Sequence, residues 1–252
     1  MKQYVASKTI ENEQKRLRIM NSLGQEITQR MLVNAKQRLG DERNIKILDA
    51  GCGTGEDFNS LKKTFPKSLI VGLDLSPPAL DKAKGKEIAC ELIEGNLLTL
   101  ERLESFDFVF LKSVLMHIPN VKKALRIIKK NLKSGGVVAV FEPDYSGMNC
   151  PFPGFEDFKK QLVGTMQSFG IDPFLGGKLE NYLSNLGYLQ IESLEVDVTV
   201  NPQDENWEIL LALCEVAGPS MTKFVPILTK ARQNHKNVFQ FKGKMAVVAK
   251  KP

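Results

Sequence analysis

Leu48-Asp49-Ala50-Gly51-Cys52-Gly53-Thr54-Gly55 is the stretch that decides how this chain folds. The apolar run Ile45-Lys46-Ile47-Leu48-Asp49 leads into it, and a segment of helical character comes after it. Glycines at 51, 53 and 55 let the backbone turn tightly and let a ligand come close to the main chain. A loop that ends at a helix N-terminus also offers free N–H groups and the positive end of the helix dipole. The spacing disfavours a dinucleotide fingerprint, Gly-x-Gly-x-x-Gly, because position 56 is Glu56. A carboxylate there would also face a pyrophosphate. The Gly-Lys-Ser/Thr of a phosphate-binding P-loop is missing as well.

The next signal lies downstream. Asp74 ends the apolar run Ser68-Leu69-Ile70-Val71-Gly72-Leu73-Asp74, nineteen residues after Gly55. A carboxylate at a strand end can accept two hydrogen bonds from the vicinal hydroxyls of a ribose. Leu75 beside it is placed to pack on an adenine face. Gly95-Asn96-Leu97 follows a third run, Glu91-Leu92-Ile93-Glu94, where Asn96 would accept from the adenine amino group and Leu97 would cover the ring.

Further out, Phe106 to Leu111 and Gly136 to Glu142 are two more apolar runs, and helical stretches separate most of the five. Short buried runs alternating with helices imply a parallel sheet covered on both faces. Residues 189–200 and 239–249 read as two long strands, which makes seven candidates. Trp207 to Val216 and Pro219 to Arg232 read as helices between them. The first forty residues read as helix with an apolar stripe at Ile27, Met31, Ala35 and Leu39, broken into two pieces at Gly24. The expected organisation is an N-terminal helical cap, 1–40, and a ligand-binding α/β domain, 41–252, carrying a helical insertion at 201–237.

At 252 residues the chain suits one large α/β domain better than two small ones, and 42% hydrophobic residues suffice for a substantial core. No run approaches the ~20 apolar residues of a membrane span, and the N-terminus lacks the apolar stretch of a signal peptide. The four cysteines form no Cys-x-x-Cys pair and there are two histidines. Metal ligation is therefore not expected, and reduced thiols in the cytoplasm are the simplest account. The net charge is +6, with Lys122, Lys123, Arg126, Lys129, Lys130 and Lys133 clustered on one helix. No aromatics interleave with them, so a solvated face is expected rather than a nucleic-acid stripe.

Three quoted segments together resemble the class I S-adenosylmethionine (SAM)-dependent methyltransferases. They are Ile47 to Gly55, Gly72-Leu73-Asp74-Leu75-Ser76, and Phe106-Asp107-Phe108-Val109 with Leu115-Met116-His117-Ile118. The resemblance is close over roughly residues 44–145, and the closing segment Ala249 to Pro252 shares it. It implies a Rossmann-like, seven-stranded, mostly parallel sheet with helices on both faces and an antiparallel last strand. It further implies SAM as cofactor and S-adenosylhomocysteine as product, held by Asp49, Gly51, Cys52, Gly53, Gly55, Asp74, Leu75, Asn96, Leu97 and the backbone at Lys112. Asn96 stands where many members have Asp. By analogy with small-molecule members, Arg16 would pair with the SAM carboxylate and Tyr4 would close the site.

Methyl transfer from a sulfonium is an in-line displacement that mainly needs positioning. A base helps only when the nucleophile starts protonated. His117 is a candidate base, against the reading of a histidine bonded near a helix start. Tyr145, with Glu142 and Asp144, is a candidate for orienting the acceptor, against that of a plain turn. The loop after the fourth run, Leu111-Lys112-Ser113-Val114, matches neither amino-methylating nor cytosine C5 DNA enzymes, so DNA is not an expected substrate. Aromatics at 145–175 with Trp207 and Phe224 would wall a pocket for a small acceptor or form a packed core. Alternatives to a small-molecule methyltransferase are a non-catalytic SAM-binding or regulatory module, an RNA or protein methyltransferase, and an aminopropyl transferase. Oligomeric state is not expressed in these patterns.

Overall fold

The computed structural model describes residues 10–40, 44–86, 88, 90–100 and 105–252. In chain order the elements begin with α1 (Ile10–Leu39), β1 (Lys46–Ala50), α2 (Phe58–Thr64), β2 (Leu69–Asp74), α3 (Pro77–Lys84), β3 (Cys90–Glu94), β4 (Phe106–Lys112) and α4 (Val121–Asn131). They continue with β5 (Leu132–Phe141), β6 (Met148–Asn149), α5 (Phe155–Ser168), α6 (Leu179–Asn185), β7 (Leu189–Val200), α7 (Glu208–Ala217), α8 (Val225–Arg232) and β8 (Phe239–Lys250). The chain forms two compact units. The described residues of the larger fall within 27–143, 175–194 and 244–252, and those of the smaller within 1–26, 144–174 and 195–243.

The larger unit is built on a sheet in the order β3-β2-β1-β4-β5-β8. The four pairings among β1 to β5 are parallel, and β8 runs antiparallel to β5, from Val137 opposite Lys250 to Phe141 opposite Ala246. The expected mostly parallel sheet with an antiparallel last strand is what the chain forms, with β7 paired to β8; it has eight strands rather than the expected seven, because the two-residue β6 also pairs with β8. The central strands are apolar without alternation because both faces are covered. Ile47, Leu48, Phe108, Val109, Phe110 and Val137 to Val140 are all fully buried. On α4, Asn120 caps the first turn by accepting from the Lys123 N–H, and Ala124, Leu125 and Ile128 face the core. Lys122, Lys123, Arg126 and Lys130 lie toward solvent on α4, the solvated face expected of them, and Lys129 donates to the Leu186 carbonyl. Lys133, expected on the same helix, instead lies in β5, because the helix ends at Asn131, and pairs with Asp107.

The strand order reverses between β1 and β4. Chain leaving β1 turns toward β2, and chain leaving β4 turns toward β5, so the loops after these two strands diverge. That divergence opens the crevice in which open α/β sheets hold ligands. The glycine loop follows β1, and the turn from Ser113 to His117 follows β4.

In the smaller unit β6 pairs with the first residues of β8, Met148 opposite Phe241, and α5, α7 and α8 pack with a 3-10 stretch at Pro219–Phe224. Phe155 sits 5.4 Å from Phe152 and 5.9 Å from Phe158, which is 5.6 Å from Phe224, between ring centroids. These rings and Trp207 are buried, so they form a packed core. The helix α5 carries Phe155, Phe158, Leu162 and Met166 on its buried face. The expected break at Gly24 does not occur, and α1 continues through it. One glycine costs a helix interior only about 1 kcal/mol against alanine, and the buried stripe from Ile27 to Leu39 anchors the C-terminal half of the helix. Among the described residues no helix is long and apolar enough to cross a membrane.

Candidate functional site

The glycine loop is fixed first by backbone bonds. The N–H groups of Gly51 and Cys52 both donate to the Leu73 carbonyl at the end of β2, at 2.6 and 3.0 Å. The Gly55 N–H then closes on the Cys52 carbonyl. Gly51, Gly53 and Gly55 all have positive φ, at 84, 53 and 72°. Glycine is required at two of them for a further reason. A Cβ on Gly51 would collide with the Val114 side chain, whose Cγ1 lies 2.8 Å from where it would stand. A Cβ on Gly55 would meet the Phe58 ring at 2.6 Å. A Cβ on Gly53 would meet nothing within 4 Å. Gly51 and Gly55 therefore serve close packing within the protein, whereas the face of Gly53 is open.

Asp74 ties β2 to that loop. Its Oδ2 accepts from the Gly53 N–H at 2.8 Å and its Oδ1 from the Ser76 N–H at 2.9 Å. A carboxylate has roughly four acceptor positions, so two are left. Beside it Leu75 is 57% exposed, an apolar surface without protein cover. The Asn96 side-chain oxygen accepts from the Leu98 N–H at 2.9 Å, which fixes the turn after β3, and Leu97 is buried in it. Cys52 is buried, and burial pushes its thiol up, far from a reactive thiolate.

Charge is concentrated beneath the loop. Asp49 is buried, and burial pushes its carboxyl well above the ordinary range. Asp57 adds to this, Lys112 opposes it, and Asp74 adds again. The Lys112 ammonium, at the end of β4, is bonded to Asp57 Oδ1 at 2.8 Å, with both side chains largely buried. This pair joins the strand end to the residue before α2. Burial raises the Glu56 carboxyl, but bonds to Lys86 and Thr54 and the Lys86 charge outweigh it and hold it low. Glu56 is thus turned onto α3's trailing loop and held there as an ion pair.

The turn after β4 has its own anchor. Glu142, fully buried, accepts from three consecutive N–H groups: Val114 at 2.8 Å and Leu115 at 2.6 Å on Oε1, and Met116 at 3.2 Å on Oε2. These bonds partly offset burial, which pushes its carboxyl up to about 7. Glu142 is therefore an internal brace, not the acceptor-facing carboxylate that its place after the fifth apolar run suggested. His117 sits exposed at the end of this turn, and its backbone N–H donates to the Val114 carbonyl. Tyr145 belongs to the smaller unit, where it is buried with its ring 5.6 Å from that of Phe241. Tyr4 and the Arg16 side chain lie outside the described residues.

The larger unit thus brings Asp49, Gly51, Cys52, Gly53, Gly55, Asp74, Leu75 and Lys112 together around the ends of β1, β2 and β4, with Asn96 and Leu97 after β3. Sequence reasoning missed the Asp57–Lys112 pair, the seat of Val114 on Gly51 and the brace from Glu142. A carboxylate followed by proline at the end of the apolar run Gly136 to Phe141 was the one visible sign of the last.

The profile of a family described as "Methyltransferase domain" matches residues 41–173, just over half of the chain. A demethylmenaquinone methyltransferase of Lactococcus lactis is 30% identical over 74% of this chain and 78% of its own. A trans-aconitate 2-methyltransferase of Deinococcus radiodurans is 28% identical over 59% of this chain and 60% of its own, less than two thirds of that relative. The crystal structure of the YcgJ protein of Bacillus subtilis shares the fold, with a TM-score of 0.61 at 17% identity, covering 92% of this chain and 98% of that one. Taken with the glycine loop and Asp74 in this crevice, these matches make the chain a member of the class I SAM-dependent methyltransferases.

Proposed function

We propose that the enzyme methylates a small-molecule acceptor, and that Asp49, Gly51, Cys52, Gly53, Gly55, Asp74, Leu75, Asn96, Leu97 and Lys112 form its SAM site. The observation that carries the site is the Asp74 carboxylate held by the Gly53 N–H, beside the open face where a Gly53 Cβ would stand. Two N–H donors orient the carboxylate and leave acceptor positions for the two ribose hydroxyls. Leu75 offers its exposed face to the adenine, and the half-buried Asn96 an acceptor for its amino group. Asp49 is buried beneath the loop with its carboxyl raised, and the positive charge of a bound sulfonium nearby would favour its ionised form.

When bound, SAM supplies a methyl group already activated on sulfur, so the protein's work is alignment. The backbone of the loop and of Lys112 and Ser113 holds the donor end. As the acceptor atom bonds to the methyl carbon, the bond from that carbon to sulfur would break and S-adenosylhomocysteine would leave. Where the acceptor atom starts protonated, His117, on the turn after β4, is proposed as the base that takes its proton. Tyr145 and Arg16 stay proposed contributors. The small-molecule class is supported by the names of the relatives, a demethylmenaquinone and a trans-aconitate methyltransferase. The organisation proposed is a helical cap at 1–40 and a catalytic domain from 41 with its insertion at 201–237. The free cysteines suit a cytoplasmic enzyme.

Mass spectrometry of the purified protein for SAM or S-adenosylhomocysteine, followed by a metabolite screen with methyl-labelled SAM, tests the reading. Label transferred to a small acceptor supports it, and label found only in RNA or protein overturns the acceptor class. Full turnover in His117→Ala or Tyr145→Phe would strike that residue from the catalytic list.

A further inference from the structure

We infer that Glu142 is a positioning residue for the donor site, acting through the turn after β4 to hold Val114 against Gly51. The inference rests on the glycine loop being the SAM site. Its starting point is an unusual concentration of polar bonding. One fully buried carboxylate collects the N–H groups of Val114, Leu115 and Met116. These three donors stand at the start of a single 3-10 turn, Leu115–His117, where no preceding turn of helix supplies carbonyls for them. Without Glu142 the buried N–H groups of Leu115 and Met116 and the part-buried one of Val114 would be left unpaired, or the turn would have to move.

The turn also carries strain. Ser113, just before it, has φ +56°, in the left-handed region that a side chain makes costly. Its N–H is still held by the Phe141 carbonyl at 2.8 Å, one residue before Glu142. The chain is thus pinned on both sides of Ser113 by adjacent residues of β5's end, Phe141 through its carbonyl and Glu142 through its carboxylate. Glu142 is itself fixed by donating its N–H to the Met245 carbonyl of β8 at 2.9 Å.

Val114, the first residue the carboxylate holds, is the residue that fills the space a Gly51 Cβ would need. Gly51 is the first glycine of the loop, and its N–H and that of Cys52 share the Leu73 carbonyl next to Asp74. A rigid route therefore runs from β8 through Glu142 and Val114 to the wall of the donor crevice. A carboxylate kept for stability alone has no need to end on this contact.

Calorimetric titration with S-adenosylhomocysteine of Glu142→Gln, Val114→Ala and the double variant tests the route. Glutamine keeps the volume but presents an amide N–H₂ to a backbone donor. Each single variant is expected to bind about tenfold more weakly, and the double variant no more weakly than the worse single one, because both cut the same route. Amide exchange on the wild-type protein supplies a second readout, with slower exchange at 114–116 expected on adding S-adenosylhomocysteine. Wild-type affinity in folded Glu142→Gln, or losses that multiply in the double variant, overturns the inference. Should Glu142→Gln not fold, wild-type affinity in Val114→Ala with unchanged exchange at 114–116 overturns it equally. No binding by the wild-type protein is a different result, which refutes the donor-site reading itself.

Discussion

Asp74 stands at the end of β2 with its two oxygens on two different backbone donors, one of them in the glycine loop. Its removal has two effects. The ribose hydroxyls lose a charged acceptor, where each hydrogen bond is worth about 1.5–3 kcal/mol, and the Gly53 N–H loses its partner. Asp74→Ala is expected to weaken S-adenosylhomocysteine binding roughly 100-fold, at 1.4 kcal/mol per tenfold. Asp74→Asn, which keeps one acceptor oxygen, is expected to fall between, and calorimetry measures both. Glu142 gives a prediction in pH. Burial pushes its carboxyl from 4.5 up to about 7, so the folded state binds the proton more tightly than the unfolded one. Its contribution to stability is then present at low pH, falls as pH rises from 4.5, and is lost above about 7. Glutamine does not titrate. Between pH 5.5 and 7.5 the melting temperature of the wild type is expected to drop further than that of Glu142→Gln. Asp49, raised in both proteins, cancels in the comparison. Parallel melting curves would show that Glu142 does not titrate in this range.

The glycine loop shows what an element needs beyond its residues' own preferences. Gly51→Ala places a methyl group at φ +84° and against Val114 at once. Since neither the backbone nor the braced turn can yield cheaply, binding of S-adenosylhomocysteine is expected to be lost while far-UV circular dichroism stays unchanged. Gly53→Ala faces open space and keeps only the backbone penalty, so its protein is expected to be the more stable of the two by thermal melting. Elements like this one are legible in the sequence because their signals are local: three glycines after an apolar run, an acid after the next. The strands are legible for the same reason, since Phe106 to Leu111 and Gly136 to Phe141 are largely apolar runs bounded by polar residues. The helix α5 is not, although Phe155, Phe158, Leu162 and Met166 fall on one face. Its aromatics also suit a ligand pocket, and only packing against Phe224 decides for a core. The long α1 departs in the other direction, because a single glycine carries less weight than the apolar stripe after it.

Across the whole molecule, legibility falls with distance along the chain. The order β3-β2-β1-β4-β5-β8 brings Asp57 to Lys112, Asp74 to Gly53 and Glu142 to Val114. Asp74 is readable because strand ends in such sheets share one edge. Lys112 and Glu142 are recognisable as strand ends, yet their partners depend on side-chain directions that no sequence period encodes. The assembled crevice has a consequence for the larger unit as a body. A ligand that binds the folded state alone stabilises it by about 2.7 kcal/mol at 100 times its dissociation constant. In a chain of this size each kcal/mol moves the melting temperature about 2–4 °C, so saturating S-adenosylhomocysteine is expected to raise it by roughly 5–10 °C. NAD at the same concentration is expected to leave it unchanged, because the loop has Glu56 where a dinucleotide fingerprint has its third glycine. Asp74→Ala should lose most of the shift. Amide exchange measured alongside should slow mainly within residues 44–143, where β1, β2 and β4 end on the crevice. A melting shift with NAD and none with S-adenosylhomocysteine would mean that the crevice holds a different nucleotide.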